Sequence, residues 1–311
     1  MKHLRFTAII GLAILFGVIS CQMQPGISQL LVEEGDAMSA DGISIHYKLY
    51  GKGDVSLVFV HDWCTNMKYW EEQVPSFGVN FKVVTLDLAG HGQSGDGRAD
   101  WTIQAFGQDV AAVVEKLDLQ NVVLIGHGMG GPVVLEAAKL IPEKAIGLVG
   151  ADSFNDLYMI GLDEENVQLA LIPYQENYQE QIREHVRLQW FAPKSDHGLM
   201  SEIILDMIKT PKEVALGTLR GLLMYEAVES LKQVQLDVRC IQTTHMDASY
   251  EVVQKNAKSI WVEYLDGLGH FIMLEDSQAF GGNTRNATST KFQSYPVTQC
   301  TFHDGRQITN T

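Results

Sequence analysis

The chain has 311 residues, of which 46% are hydrophobic and 20% charged, as in a globular protein large enough for one α/β domain. Its formal net charge of -15 disfavours binding to the phosphate backbone of nucleic acid. The four cysteines lack the spacing of a disulfide framework or a zinc site, and we expect neither a metal nor an organic cofactor.

The N-terminus resembles a bacterial lipoprotein signal. Basic residues precede an apolar stretch at 6–19, which has the length of a signal-peptide core and is short for a membrane span. Small residues before Cys21 resemble a lipobox, which implies cleavage before this cysteine and its acylation. We therefore expect a signal peptide at 1–20, a polar tether at 21–38, and a lipid anchor in the bacterial cell envelope. An uncleaved signal anchor is the alternative.

Short apolar runs rich in β-branched residues recur between residues 39 and 280 and predict strands. Continuous runs of this kind are typical of strands buried on both faces, as in a parallel sheet. The predicted strands are 43–47, 56–60, 82–86, 122–125, 146–149, 238–243 and 260–265.

Amphipathic helices are predicted between these strands. Apolar residues recur on one helical face from 101 to 117, with Asp100 placed to cap the start, and residues 129–140 also predict a helix. The alternation of strands and helices indicates a doubly wound α/β fold with a mostly parallel sheet. Residues 154–233 show helical patterns without a convincing strand, which predicts a helical cap inserted over one end of the sheet.

A glycine-rich motif, Gly126-His127-Gly128-Met129-Gly130-Gly131, follows one predicted strand and opens a helix. A nucleophile elbow requires this context, together with small neighbours that let strand and helix approach closely. The motif resembles the Gly-His-Ser-Met-Gly-Gly elbow of the α/β-hydrolase superfamily, with Gly128 in place of the catalytic serine. A dinucleotide-binding loop is disfavoured, because the spacing differs from Gly-x-Gly-x-x-Gly and the expected later acidic residue is absent.

Three further segments resemble the same superfamily. They are His61-Asp62-Trp63, the stretch Asp-Leu-Ala-Gly-His-Gly-Gln-Ser at 87–94, and Gly-Leu-Gly-His-Phe at 267–271. The resemblance implies that the backbone amides of Trp63 and Met129 form the oxyanion hole. It covers roughly residues 40–280 and is greatest with small capped bacterial esterases and aminopeptidase-like members. We therefore expect small ester or amide substrates.

The resemblance also implies a catalytic histidine and an acid. His270 occupies the position of the histidine. Asp247 follows the predicted strand 238–243, where the superfamily's acid is usually found, and Asp152, after the strand ending at 149, is the alternative acid. With either acid, nucleophile position, acid and histidine follow the chain order of the superfamily.

Three departures from the superfamily's pattern concern function. Gly128 has no hydroxyl, and losing the nucleophile in a related mechanism lowers turnover by about 10⁶-fold. Asp62 brings a carboxylate beside the oxyanion hole, where it would oppose developing negative charge. The tail at 281–311 is rich in Asn, Thr, Ser and Gln without a helical apolar period, so we expect no closing helix there.

These departures suggest a decayed or repurposed hydrolase with a replaced or frame-shifted tail. One hypothesis is an impaired enzyme in which His270 and Asp247 activate water. A second is a pseudoenzyme whose capped pocket binds a small molecule without turnover, and a third is a poorly folded remnant. The expected partners are a small-molecule substrate or ligand and, through Cys21, a membrane.

Overall fold

The computed structural model describes residues 25–245 and 248–288. Its strands are β1 (Leu31–Met38), β2 (Ser44–Tyr50), β3 (Ser56–Val60), β4 (Lys82–Leu86), β5 (Val122–His127), β6 (Ala145–Ala151), β7 (Asp237–Thr243) and β8 (Ser259–Leu265). Its α-helices are α1 (Ile27–Leu30), α2 (Val74–Phe77), α3 (Ile103–Lys116), α4 (Gly130–Leu140), α5 (Glu164–Glu176), α6 (Tyr178–His185), α7 (His197–Met207), α8 (Lys212–Leu223), α9 (Ala227–Gln233), α10 (Glu251–Asn256), α11 (Ile272–Glu275) and α12 (Ser277–Thr288). Single helical turns of other types span Met67–Trp70, Leu157–Met159 and Val186–Trp190.

The eight strands form one sheet in the order β1-β2-β4-β3-β5-β6-β7-β8. β2 pairs antiparallel with β1 and β4, and the other neighbours are parallel. All residues of β3 and β5 are buried, which explains the continuous apolar runs at 57–60 and 122–125. The predicted fold class, a mostly parallel sheet flanked by helices, is confirmed.

Helices α5 to α9 lie between β6 and β7 in the chain, within the segment predicted to form the cap. Trp63, which follows β3, makes an edge-to-face contact with Tyr174 of α5, with ring centroids 5.5 Å apart. The indole Nε1 of Trp63 donates a hydrogen bond of 2.9 Å to the carbonyl oxygen of Ala215 in α8. These contacts hold the helices over the end of β3.

The tether predicted at 21–38 is wrong for residues 31–38, which form the edge strand β1. Most of its side chains are exposed, so the sequence lacks the apolar alternation of a half-buried strand. Backbone pairing with β2 holds β1 in place, and the Tyr47 hydroxyl donates to Glu33 Oε1 at 2.6 Å. The predicted helix cap is also wrong, since Thr102 rather than Asp100 caps α3 by accepting from the Ala105 amide at 3.1 Å.

The expectation that no helix follows Phe280 is wrong for residues 281–288, because α12 continues to Thr288. Phe280 and Thr284 are fully buried, and Phe280 packs against Trp70 with ring centroids 6.0 Å apart. The Thr284 hydroxyl donates to the Phe280 carbonyl oxygen at 2.8 Å. The inward face uses one aromatic residue beside small and polar ones, so it produces no apolar period.

Some predicted features lie outside the described residues, namely the signal peptide at 1–20, Cys21 and the tail beyond 288. Among residues 25–245 and 248–288, none of the helices combines the length and apolar character needed to cross a membrane. Cys64 and Cys240 are buried free thiols.

We expect Phe280→Ala to lower the free energy of unfolding by about 3 to 5 kcal/mol, because it removes a buried aromatic ring from the contact between α12 and the core. Urea denaturation would measure the change. Leu169→Ala, at a position 58% exposed on α5, is the control and should change stability by less than about 0.5 kcal/mol. A loss below about 1 kcal/mol for Phe280→Ala would contradict the packing of α12.

Candidate active site

The backbone turns sharply between β5 and α4. Gly128 lies at the turn with φ +50°, a left-handed conformation that glycine adopts without strain. A Cβ on Gly126 would lie 2.2 Å from the Gly130 carbonyl oxygen, and one on Gly130 would lie 2.6 Å from the Val60 carbonyl oxygen. The motif's glycines therefore permit a close approach of strand and helix that side chains would prevent.

The carboxylate of Asp62 fills the space above Gly128. A Cβ on Gly128 would lie 2.3 Å from both Cγ and Oδ1 of Asp62 and 2.5 Å from Oδ2. Asp62 Oδ1 accepts a hydrogen bond of 2.6 Å from the backbone amide of Met129. The carboxylate thus takes both the volume of the missing side chain and the amide predicted to bind an oxyanion.

His270 lies between two carboxylates. Its Nδ1 hydrogen-bonds to Asp152 Oδ2 at 2.5 Å, and its Nε2 to Asp62 Oδ2 at 2.9 Å. Asp152 follows β6 with φ +43°, and its Oδ1 accepts a hydrogen bond from Gln242 Nε2. Asp247, the first of the two acids predicted from sequence, lies outside the described residues. The acid that the structure brings to His270 is the alternative, Asp152.

His270 and Asp62 form an ion pair in this chain of hydrogen bonds. Burial lowers the pKa of His270, but hydrogen bonds to Asp152 and Asp62 and their negative charges outweigh it and raise the pKa to about 10. Burial likewise raises the pKa of Asp62, but the hydrogen bond and charge of His270 bring it down to about 2. At neutral pH the site therefore holds an imidazolium between carboxylates, and His270 has no lone pair with which to accept a proton.

Two neighbouring histidines, His127 and His61, hydrogen-bond to backbone atoms of the site. The His127 ring lies 4.3 Å from the His270 ring, and His127 Nε2 donates to the His270 carbonyl oxygen at 2.9 Å. His61 Nδ1 donates to the Asp62 carbonyl oxygen at 2.8 Å, while His61 Nε2 accepts from the Leu88 amide at 3.0 Å. Burial and the nearby charge of His270 lower the pKa of His127 to about 3, so this ring stays neutral. The His127 ring thus positions the backbone of His270, and the His61 ring positions the backbone of Asp62.

A cavity of about 310 Å³ opens onto these groups. The sheet contributes Asp62, Trp63, Gly128, Met129, Asp152 and His270 to its lining, and the cap contributes Tyr174, His185, Trp190, Leu219 and Leu222. The His185 ring packs against Trp190, and its Nδ1 hydrogen-bonds to the Tyr174 hydroxyl at 2.7 Å. Three carboxylates, including Asp156, and no lysine or arginine line the described part of the cavity.

Asp62, His127 and His270 form the one group within the described residues with donor atoms spaced for a metal ion, all within 4.8 Å of one another. Both ring nitrogens of His270 are already hydrogen-bonded, to Asp152 and Asp62. A metal at this position would have to displace the proton between Asp62 and His270. The donor set as it stands therefore fits an ion pair better than a metal centre.

Five residues predicted from sequence line this cavity, namely Trp63, Gly128, Met129, Asp152 and His270. Sequence reasoning placed Asp62 beside the oxyanion hole but did not predict its contact with His270. It also missed the cap residues Tyr174, His185 and Trp190, because helical periodicity does not show which residues of a cap face the sheet.

Comparisons with known proteins identify the same fold. A family model described as the alpha/beta hydrolase fold matches residues 55–196. The chain is 35% identical over 117 residues to a non-heme chloroperoxidase of Streptomyces lividans, covering 37% of this chain and 41% of that protein. It is 32% identical over 102 residues to the dihydrolipoyllysine-residue acetyltransferase component of the acetoin cleaving system of Pseudomonas putida, covering 33% and 28% respectively. The chain thus spans well under half the length of either relative.

Solved structures extend the likeness over most of the chain. An esterase from Exiguobacterium antarcticum superposes with a TM-score of 0.73, covering 83% of this chain and 100% of the esterase chain. The two sequences are 18% identical, so this likeness concerns the fold.

We expect the His270 ring to remain doubly protonated above pH 6.5 and to titrate with a midpoint near pH 10. Because the pKa in the folded chain lies above its ordinary value of 6.5, the stabilisation from this charge is complete below pH 6.5 and is lost as the pH rises through about 10. Asp62→Asn should lower the midpoint by removing one of the two negative charges. Nitrogen chemical shifts of the imidazole would measure both midpoints.

Asp118→Asn, at an exposed position, controls for the general loss of one negative charge and should leave the midpoint unchanged. A His270 midpoint near pH 6.5 in the parent protein would contradict the ion pair with Asp62 and Asp152.

Proposed function

We propose that this chain, which has the alpha/beta hydrolase fold, descends from serine hydrolases of small ester or amide substrates and no longer performs serine-dependent acyl transfer. The observation that carries the proposal is the carboxylate of Asp62 in the volume above Gly128. The esterase from Exiguobacterium antarcticum, which shares the fold, supports an ester-hydrolysing ancestry.

Three physical obstacles oppose the serine mechanism. Gly128 offers no hydroxyl, so no acyl-enzyme can form on it. The Met129 amide already donates to Asp62 Oδ1, which leaves it unavailable to a substrate oxyanion. His270 holds a proton between two carboxylates and cannot act as the general base for an attacking hydroxyl group.

A second candidate function is the binding of a small ligand without turnover. The cavity of about 310 Å³ supports this alternative, because aromatic rings of Trp63, Tyr174 and Trp190 line it together with carboxylates. Such a lining favours a neutral or positively charged apolar molecule over an anion.

We expect Gly128→Ser combined with Asp62→Gly to hydrolyse 4-nitrophenyl butyrate at least about 10³-fold faster than the parent protein or either single variant. Gly128→Ser alone should fail, because its Cβ would lie 2.3 Å from Asp62 Cγ. Asp62→Gly alone frees the Met129 amide but supplies no hydroxyl. Initial rates of nitrophenol release would measure the effect.

The matched control is Gly128→Ala combined with Asp62→Gly, which adds the same Cβ without a hydroxyl. Each variant must unfold cooperatively on heating, which also tests the hypothesis of a poorly folded remnant. If the serine and alanine double variants unfold alike and hydrolyse the ester equally slowly, descent from a serine esterase is contradicted and the ligand-binding alternative is favoured.

We also propose that lipid on Cys21 anchors the mature protein to a membrane of the bacterial cell envelope. The basic and apolar segments before this cysteine support the proposal. When the full chain is expressed in bacteria, Cys21→Ser should abolish labelling by radioactive palmitate and shift the protein into the soluble fraction, whereas Cys300→Ser should change neither. Unaltered labelling of Cys21→Ser would contradict the assignment.

A further inference from the structure

We propose that the protein docks on a lipid bilayer through the end of the sheet opposite the cavity, so that the cavity opens toward water and takes its ligand or substrate from the aqueous phase. The inference rests on one part of the proposed function, the lipid anchor on Cys21. It adds which surface of the domain contacts the bilayer and from which side the cavity is reached.

The parallel strands give the sheet two different ends. Asp62, Gly128 and Asp152 follow the last residues of β3, β5 and β6, so the cavity lies at the carboxyl end of the sheet. The same strands begin at the opposite end, which we call the amino end. β3 has five residues, and a strand of this length spans about 16 Å. The cap lies beyond the carboxyl end and is therefore farther still from the amino end.

The described N-terminal segment joins the sheet at its amino end. Leu31, the first residue of β1, pairs with Tyr50 of β2, and Tyr50 pairs with Val83 near the start of β4. Leu31 is therefore level with the beginning of the parallel strands. The chain before it approaches the sheet from the side away from the cavity.

Helix α1 fixes this segment to the domain. The Gly51 amide donates a hydrogen bond of 2.8 Å to the Leu30 carbonyl oxygen. Leu30 Cδ1 lies 3.1 Å from the position of a Cβ on Gly78, and Ile27 and Leu30 pack against the hydrophobic core. The domain therefore cannot turn freely about residues 27–31, and their position decides which surface faces an anchor.

The lipid anchor would lie close to the same end of the sheet. The chain from Cys21 to Pro25 spans at most about 14 Å at full extension, because consecutive Cα atoms advance by no more than about 3.6 Å. A lipid on Cys21 keeps Pro25 within this distance of the bilayer surface. A bilayer contact through the cap would place Pro25 farther away than this, so the amino end faces the bilayer.

A groove beside the segment has a composition suited to lipid contact. Leu31, Val32 and Val79 line it with exposed fractions of 41%, 51% and 54%. Lys52 also lines it, and no aspartate or glutamate does so among the described residues. Because the chain carries a net charge of -15, an anionic bilayer repels most of its surface. Aliphatic side chains beside a lysine therefore make this groove the favoured place of contact.

The orientation limits what can enter the cavity. A water-soluble molecule diffuses directly into a cavity that faces away from the bilayer, whereas a membrane lipid would first have to leave the bilayer and pass the height of the domain. With its volume of about 310 Å³, the cavity therefore takes a small water-soluble molecule.

The cap provides reporters for the opposite orientation. Leu169 on α5 is 58% exposed. Leu188 is 77% exposed and lies between His185 and Trp190, which line the cavity. A bilayer on the cap would cover these side chains, whereas a bilayer at the amino end leaves them in water.

The first experiment uses the mature lipidated protein, reconstituted into vesicles of phosphatidylethanolamine and phosphatidylglycerol that contain a nitroxide-labelled lipid. Cys300→Ser removes one thiol, and Cys64 and Cys240 are buried, so a bimane label attaches at an added cysteine. The nitroxide should quench a label on Val79→Cys at least about threefold more strongly than one on Leu169→Cys, which is similarly exposed.

The second experiment tests which side of the domain faces water, using iodide as a soluble quencher. Transfer from detergent to vesicles should lower iodide quenching of the Val79→Cys label at least about twofold and leave that of a Leu188→Cys label unchanged. Equal nitroxide quenching at positions 79 and 169, or stronger nitroxide quenching at 188 than at 79, would overturn the inference.

A matched pair of charge variants tests the groove itself. Val32→Glu places a carboxylate in the groove and should lower nitroxide quenching of the Val79→Cys label about twofold. Leu205→Glu, at a position on α7 that is 53% exposed against 51% for Val32, should leave this quenching unchanged. An equal effect of the two substitutions would show that the groove does not contact lipid.

Failure here can be told apart from failure of the proposed anchor. If Cys21→Ser abolishes palmitate labelling while the Val79→Cys label escapes nitroxide quenching, the anchor stands and docking through the amino end does not. If Cys21→Ser keeps its palmitate labelling, the anchor is wrong, and the orientation inferred from it is wrong as well.

Discussion

The fit between Asp62 and Gly128 is the constraint on which the site depends. A carboxylate and a Cβ cannot both occupy the volume above residue 128, since they would lie about 2.3 Å apart. With glycine at 128, the carboxylate of Asp62 can accept the Met129 amide and contact His270 at once. Two residues that look from the sequence like separate defects therefore form one complementary arrangement.

The parallel sheet makes this arrangement possible. Asp62 follows β3, Gly128 follows β5, Asp152 follows β6 and His270 follows β8, and the carboxyl ends of parallel strands meet at one edge of a sheet. Residues up to 208 positions apart in the chain thus come within hydrogen-bonding distance. Burial then makes each partner depend on the others, because an isolated charge in this position would be strongly destabilised.

Much of the fold could be predicted from the sequence because buried strands have a simple signature. β3 and β4 begin and end at the predicted residues, since all their buried positions except Ser56 carry an apolar or β-branched side chain. β1 and the end of α12 could not be predicted in this way. β1 is held by edge pairing with exposed side chains, and α12 buries Phe280 and Thr284 in a face with no apolar period.

The candidate site could be predicted only in part. Motifs placed Gly128, Met129 and His270 at one end of the sheet, since each follows a strand in a characteristic local sequence. The choice between Asp152 and Asp247 depends on which of their two loops reaches His270. No local sequence pattern shows how far either loop lies from His270. The sequence also marked Asp62 as unusual, but the direction of its side chain depends on the space that Gly128 leaves.

If the chain descends from a serine enzyme, the crowding above Gly128 also links the substitutions at positions 62 and 128. With a serine at 128, the carboxylate of an aspartate at 62 could not have taken the position it has here, because the two side chains would have overlapped. The carboxylate can therefore fill this volume only when residue 128 is glycine. The same geometry opposes reversal, since a serine fits at position 128 only after residue 62 has become small again.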